Sequence, residues 1–186
     1  MHTTMYFAEE NDRLRRIVQR IAEGSPGKVT SRPIDALLYS VVRATEPERC
    51  LELGAYEGTT SLYIAQGLED NGTGSLRAIE IDEGRAAAAE DHLGDAGLSE
   101  RVEVSVGDSR ELVPAMDESF DLIFIDTTPN QYDEDVENAM AHLAEGGILG
   151  VYEVLGETEV VERMREDLDV IEFEKYGSFV LAQKRA

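Results

Sequence analysis

Leu51-Glu52-Leu53-Gly54-Ala55-Tyr56-Glu57-Gly58-Thr59-Thr60 is the stretch on which the fold turns. A short apolar run ends at Leu53, two glycines punctuate a turn, and a helix-compatible segment follows from Thr59. Glycine at 54 and 58 permits a tight strand-to-helix turn and a close approach of backbone to ligand. A dinucleotide fingerprint needs glycine at 52, 54 and 57, and Glu52 and Glu57 stand at two of those places. Acids in this loop repel a pyrophosphate and suit a cationic ligand, which counts against a nicotinamide-dependent oxidoreductase.

Outward from this loop, the chain alternates short apolar runs with charged amphipathic stretches. The runs are Cys50 to Leu53, Leu76 to Ile81, Val102 to Val106, Phe120 to Ile125 and Ile148 to Leu155. Gly84 to Leu93 and Asp133 to Leu143, rich in Ala, Glu, Leu and Met, read as helices between them. Such alternation predicts parallel strands joined by right-handed crossovers. A last helix is expected near Glu159 to Leu168. After it, Val170 to Phe173 and Ser178 to Ala182 are separated by Lys175-Tyr176-Gly177, too short for a crossover, so that pair must be antiparallel. Two helices come first: Leu14, Ile17, Val18 and Ile21 share one face, and Ile34, Leu37, Leu38, Val41 and Val42 repeat the pattern beyond Gly24-Ser25-Pro26-Gly27. The 186 residues are expected to form one domain, with N-terminal helices over 1–46 and an α/β core over 47–186.

Composition narrows the function. The net charge is −22, from 39 acidic against 17 basic residues, and Lys28, Lys175 and Lys184 are the only lysines. A nucleic acid is therefore not an expected partner, because such binding draws its affinity from basic groups that replace counterions. Acids spread evenly along the chain are costly in dilute buffer and screened in high salt, which predicts a halophilic source. No apolar run is long enough to cross a bilayer and the N-terminus does not read as a secretory signal, so neither a membrane nor export is expected and the protein is placed in the cytoplasm. The single cysteine, Cys50, sits in an apolar run and reads as a small buried hydrophobe.

In an open α/β sheet ligands bind beyond the carboxyl ends of the strands. The second run ends in Glu80-Ile81-Asp82, about two dozen residues after the glycines, where an acid can accept hydrogen bonds from both hydroxyls of a ribose. The third ends in Gly107-Asp108-Ser109, a turn with a carboxylate and a hydroxyl.

With Glu80, Ala96-Gly97-Leu98, Arg101-Val102 and Phe120 to Asp126 added to the first motif, the chain from about Val29 onward resembles the catechol and caffeoyl-CoA O-methyltransferase family. The resemblance implies a Rossmann-like, doubly wound α/β methyltransferase sheet of seven strands with the last antiparallel. It implies S-adenosylmethionine as cofactor, with Glu52, Gly54, Tyr56 and Gly58 around the methionine part, Glu80 at the ribose, Asp108 and Ser109 at the adenine, and Thr60 and Asp126 also among the cofactor-binding residues. It also implies a small-molecule methyl acceptor and a homodimer.

The pattern breaks at the acceptor side. The family holds a divalent ion on an aspartate after the fourth strand, matched by Asp126, and on an Asp-Asn pair that here is Tyr152-Glu153. Its general-base lysine falls on Pro129. Asp126 and Glu153 remain as candidate oxygen ligands for Mg²⁺. His2, His92 and His142 have no paired spacing that suits a metal, and His142 is expected on the exposed side of a helix. Thr127-Thr128-Pro129-Asn130 lacks the Pro-Pro-aromatic motif of base-amino methylases. Tyr132, Tyr152 and Tyr176 are candidate acceptor-pocket residues. The expected activity is therefore O-methylation of a small molecule, possible without a metal; the alternative is an S-adenosylmethionine-binding protein that has lost catalysis.

Overall fold

The computed structural model describes residues 12–24, 33–152, 159–173 and 179–185. Helices α1 (Asp12–Gly24) and α2 (Pro33–Thr45) precede the alternating part, which runs β1 (Arg49–Leu53), α3 (Thr59–Asn71), β2 (Ser75–Glu80), α4 (Glu83–Ala96), β3 (Val102–Val106), α5 (Ser109–Leu112), β4 (Phe120–Ile125), α6 (Tyr132–His142), β5 (Leu143–Val151), α7 (Glu159–Asp167), β6 (Leu168–Phe173) and β7 (Phe179–Lys184). The strands form one sheet in the order β3-β2-β1-β4-β5-β7-β6. β1 to β5 pair in parallel, and β7 is antiparallel to both of its neighbours, β5 and β6. This is the doubly wound architecture the sequence predicts.

Alternation along the strands assigns each side chain to a layer. Leu51 and Leu53 of β1 and Ile123 and Ile125 of β4 face a core completed by Val136 and Ala139 of α6 and Val160, Val161 and Met164 of α7. Cys50, Leu122 and Phe124 face the opposite layer, where Ile34, Leu38 and Val42 of α2 pack with Ile64 and Leu68 of α3. The predicted stripe Leu14, Ile17, Val18 and Ile21 is buried against Leu62, Tyr63, Leu93 and Leu98 of the α3–α4 side, each side chain contributing about 1.5–3 kcal/mol of apolar transfer. Burial pushes the Cys50 thiol well above its ordinary range, so it behaves as the inert hydrophobe expected.

Several strand boundaries differ from the reading of the apolar runs: β6 starts at Leu168, a residue expected in the last helix, and β7 runs on to Lys184. β2 stops at Glu80, and Ile81, the last residue of its run, is 59% exposed at the strand's end. β5 begins at Leu143 rather than Ile148, with a register irregularity against β4 that the Ala144-Glu145-Gly146-Gly147 segment absorbs. Short α5 and the turn of 3₁₀ helix after it, Val113–Ala115, carry no apolar period long enough to announce them. The sheet order reverses between β1 and β4, and the carboxyl ends of β1, β2, β3 and β4 meet there.

Candidate functional site

At that reversal lies a cleft open to solvent, where an open α/β sheet places its ligand. Its lining comes from Gly54 and Tyr56 after β1, Glu80, Ile81 and Arg85 around the end of β2, Gly107 and Ser109 after β3, and Asp126, Thr127, Thr128 and Gln131 after β4.

The glycine loop is fixed from below. Gly54 (φ +87°) donates its N–H to Ile79 O at 2.9 Å, and a Cβ built on it would lie 2.4 Å from Asp126 O. Only glycine allows the loop to cross the end of β4 this closely. Tyr56 is left-handed as well, at φ +52°, which costs a non-glycine residue roughly 1–2 kcal/mol. Glu80 compensates: its Oε2 accepts the Tyr56 N–H at 2.8 Å while Oε1 accepts the Asp82 N–H at 3.0 Å. The same carboxylate lies 3.8 Å from the Arg85 guanidinium, which rests 4.7 Å above the Tyr56 ring centroid. One acid, only 4% exposed, thus ties the loop after β1 to the start of α4. Gly58 (φ +84°) caps α3, and His92 of α4 holds the loop from outside through Glu57 O at 2.9 Å.

The predicted residues divide into two groups. Gly54, Tyr56, Glu80, Ser109 and Asp126 line the cleft; Glu52, Gly58, Thr60 and Asp108 lie outside its lining. Glu52 shares the parity of Cys50 on β1, so its fully buried side chain turns toward α3, where Ser61 Oγ donates to Oε2 at 2.5 Å. Thr60 faces α2 and donates to buried Asp35 Oδ1 at 3.0 Å. Asp108 caps α5 and accepts the Arg110 side chain at both oxygens, at 3.0 and 2.6 Å. Those bonds hold its carboxyl below the usual carboxylate range. Glu153 and Tyr176 lie outside the described residues.

Three aromatic and histidine expectations change. Tyr132 is buried in the core beneath α6, and Tyr152 packs against the α2–α3 layer; neither lines the cleft. His142 is half-buried rather than on an exposed face, its ring nitrogens 2.8 Å from Asn138 O and 3.2 Å from Met116 O, so it joins α6 to the segment before β4. Among the described residues no group of three or more His, Cys, Asp or Glu side chains is arranged to hold a metal ion, and no helix is long and apolar enough to cross a membrane.

Sequence reasoning missed Asp135. Fully buried in the first turn of α6, it accepts Ser109 Oγ at Oδ1 (2.6 Å) and Thr127 Oγ at Oδ2 (2.7 Å), joining the ends of β3 and β4 beneath the cleft. Its signal was helical spacing, since Tyr132, Asp135, Val136 and Ala139 form the buried stripe of α6.

Chemically the lining combines two carboxylates with one guanidinium and several hydroxyls, a balance that favours a cationic ligand with hydrogen-bonding alcohols. A family model described as a methyltransferase domain matches residues 51–152, over half of the chain. A catechol O-methyltransferase of Niastella koreensis is 27% identical over 158 residues, which cover 82% of this chain and 71% of that protein. The catechol O-methyltransferase of Sus scrofa is 33% identical over 101 residues, covering 52% of this chain and 53% of its own length. The chain therefore matches about half of that relative. Among solved structures, the S-adenosylhomocysteine-bound methyltransferase PaMTH1 of Podospora anserina superposes with a TM-score of 0.83 over the whole of both chains at 18% identity. The O-methyltransferase TomG of Streptomyces achromogenes, involved in tomaymycin synthesis and solved with S-adenosylmethionine, gives 0.78 over 97% of this chain and 92% of its own at 24% identity. At these identities the two structures establish the shared fold.

Proposed function

The chain belongs to the methyltransferase-domain family, and from that premise we propose that it transfers a methyl group from S-adenosylmethionine to an oxygen of a small-molecule acceptor. The observation that carries this reading is Glu80. Each of its oxygens accepts one backbone N–H, so the carboxylate is held rigidly at the cleft with a lone pair left on each oxygen for the two hydroxyls of a ribose. Gly54 provides the bare backbone against which the methionine part lies, and Ile81, exposed beside Glu80, provides an apolar face for the adenine ring. Gly58 shapes the loop without touching the ligand, and Glu52 and Thr60 support it from the α2–α3 layer.

S-adenosylmethionine supplies an electrophilic methyl group on a sulfonium. The protein's task is to align an acceptor oxygen in line with it, and such alignment alone is worth on the order of 7–11 kcal/mol. Asp126, at the end of β4, faces the cleft where it accepts the acceptor's O–H and orients its oxygen. Asp126 is a single carboxylate on that side among the described residues, short of the oxygen set a Mg²⁺ site uses, and this reading routes no step through a metal. We read the rest of the molecule as an acidic, salt-adapted cytoplasmic homodimer, on the strength of its net charge of −22 and of the family resemblance.

Titration calorimetry with S-adenosylhomocysteine in molar KCl tests the reading, run once with a chelator and once with Mg²⁺. Micromolar binding is expected in both. Absence of binding in both would overturn the assignment of Glu80, and tighter binding with Mg²⁺ would restore a metal at Asp126. Methyl transfer that Asp126→Ala abolishes separates an enzyme from a silent binding protein.

A further inference from the structure

Asp135 does more than join two loops. An aspartate carboxylate offers only acceptor positions, and each of its oxygens here receives one hydroxyl proton, from Ser109 and from Thr127. A hydroxyl has one proton and two lone pairs, so both side chains are left with acceptor capacity alone on the cleft side. Both line the cleft. The neighbouring acceptor, Asp108, is committed to Arg110 through both oxygens and lies outside the lining. Ser109 is therefore the hydroxyl after β3 that lines the cleft, with its polarity already set.

We infer that Asp135 is a specificity-determining positioning residue that turns Ser109 and Thr127 into obligate hydrogen-bond acceptors, and that through Ser109 the cleft selects a 6-aminopurine over a 6-oxopurine. The inference rests on the proposed cofactor, whose adenine the family resemblance puts at Asp108 and Ser109. An exocyclic amino group donates to the Ser109 lone pair. A 6-oxo group brings lone pair against lone pair, and Ser109 cannot rotate to donate without breaking its bond to a fully buried carboxylate. The carboxylate enforces the same polarity on Thr127, which suits the donating hydroxyl of an acceptor beside Asp126.

The test compares S-adenosylhomocysteine with S-inosylhomocysteine by calorimetry on the full chain in molar KCl. The wild type should bind the adenosyl compound at least about tenfold more tightly, the cost of facing a fixed acceptor with the wrong partner. Asp135→Ala frees the Ser109 proton to point outward, and Ser109→Ala removes the acceptor; both should bring the ratio toward one. Thr127→Val should leave it unchanged. If Asp135 merely braced the loops, its loss would weaken both compounds equally and preserve the ratio, which overturns the inference. So does a wild type that binds both within about threefold. Should Asp135→Ala fail to fold, a wild-type ratio in Ser109→Ala is equally decisive against it. A wild type that binds neither compound overturns the proposed function itself, and this inference with it.

Discussion

The Glu52 carboxylate receives the Ser61 hydroxyl at 2.5 Å on the face of β1 turned away from the cleft. A side chain that the motif associates with ligand is thus part of the packing between sheet and α3. Ser61→Ala would leave a buried carboxylate oxygen without that donor, and should lower stability by about 1–3 kcal/mol. Affinity for S-adenosylhomocysteine should stay within about threefold, since neither residue lines the cleft. Denaturant midpoints and calorimetry on the same variant check both halves. A tenfold loss of affinity at unchanged stability would return Glu52 to the ligand shell.

Glu80→Gln should behave in the opposite way. The amide keeps one acceptor oxygen, so one of the two loop N–H groups, from Tyr56 or Asp82, loses its partner, and so does one ribose hydroxyl. Hydrogen bonds to charged groups contribute about 1.5–3 kcal/mol each, which corresponds to a loss of at least about tenfold in S-adenosylhomocysteine affinity. Calorimetry measures it. Wild-type binding by Glu80→Gln would exclude Glu80 as the ribose ligand.

Thr60→Val tests how the N-terminal helices are attached. The hydroxyl donates to Asp35, which is fully buried in α2, and an isosteric valine removes that one bond from the carboxylate. Destabilisation of about 1–3 kcal/mol is expected, with faster hydrogen exchange concentrated in α2. Exchange unchanged in α2 would show that apolar packing of Ile34, Leu38 and Val42 holds the helix without this bond.

These contrasts show what the sequence could disclose. Strand ends were legible to within a residue or two because apolar runs stop where acids begin: Asp126 follows its run directly, and Glu80 closes β2 one residue before its run ends. The direction of a side chain was less so. Glu52 belongs to the same motif as Gly54, yet the period of two along β1 sends it to the α3 layer, and the motif alone does not display that period. Asp135 was hidden by its neighbours: in Asp133-Glu134-Asp135 three acids open a helix, where acids are common for their interaction with the helix dipole. Only the stripe shared with Tyr132, Val136 and Ala139 singles out the third as buried. Thr60 and Asp35, remote in sequence, meet only because α2 packs on α3.

Salt should stabilise this protein. With 39 acidic and 17 basic residues, self-repulsion is reduced as the screening length falls from about 10 Å at 0.1 M to about 3 Å at 1 M. The melting temperature is expected to climb steadily between 0.1 and about 2 M KCl. A flat or falling curve would mark an ordinary acidic protein.

Asp108 gives the acid side of the stability curve a specific source. The Arg110 side chain, hydrogen-bonded to both oxygens, lowers the carboxyl's titration range in the folded state, aided by the Arg110 backbone N–H. A folded value below the unfolded one of about 3.9 means that the bond's stabilisation is complete above that value and is lost as pH falls through the lower folded one. Arg110→Ala raises the folded value toward the ordinary range. The variant should therefore be less stable than the wild type at about pH 6, and the gap should hold down to about pH 4 and close below it. Urea midpoints across that range at constant KCl measure the gap. A gap that persists at the acid end would mean that Arg110 stabilises α5 by packing of its stem rather than through Asp108.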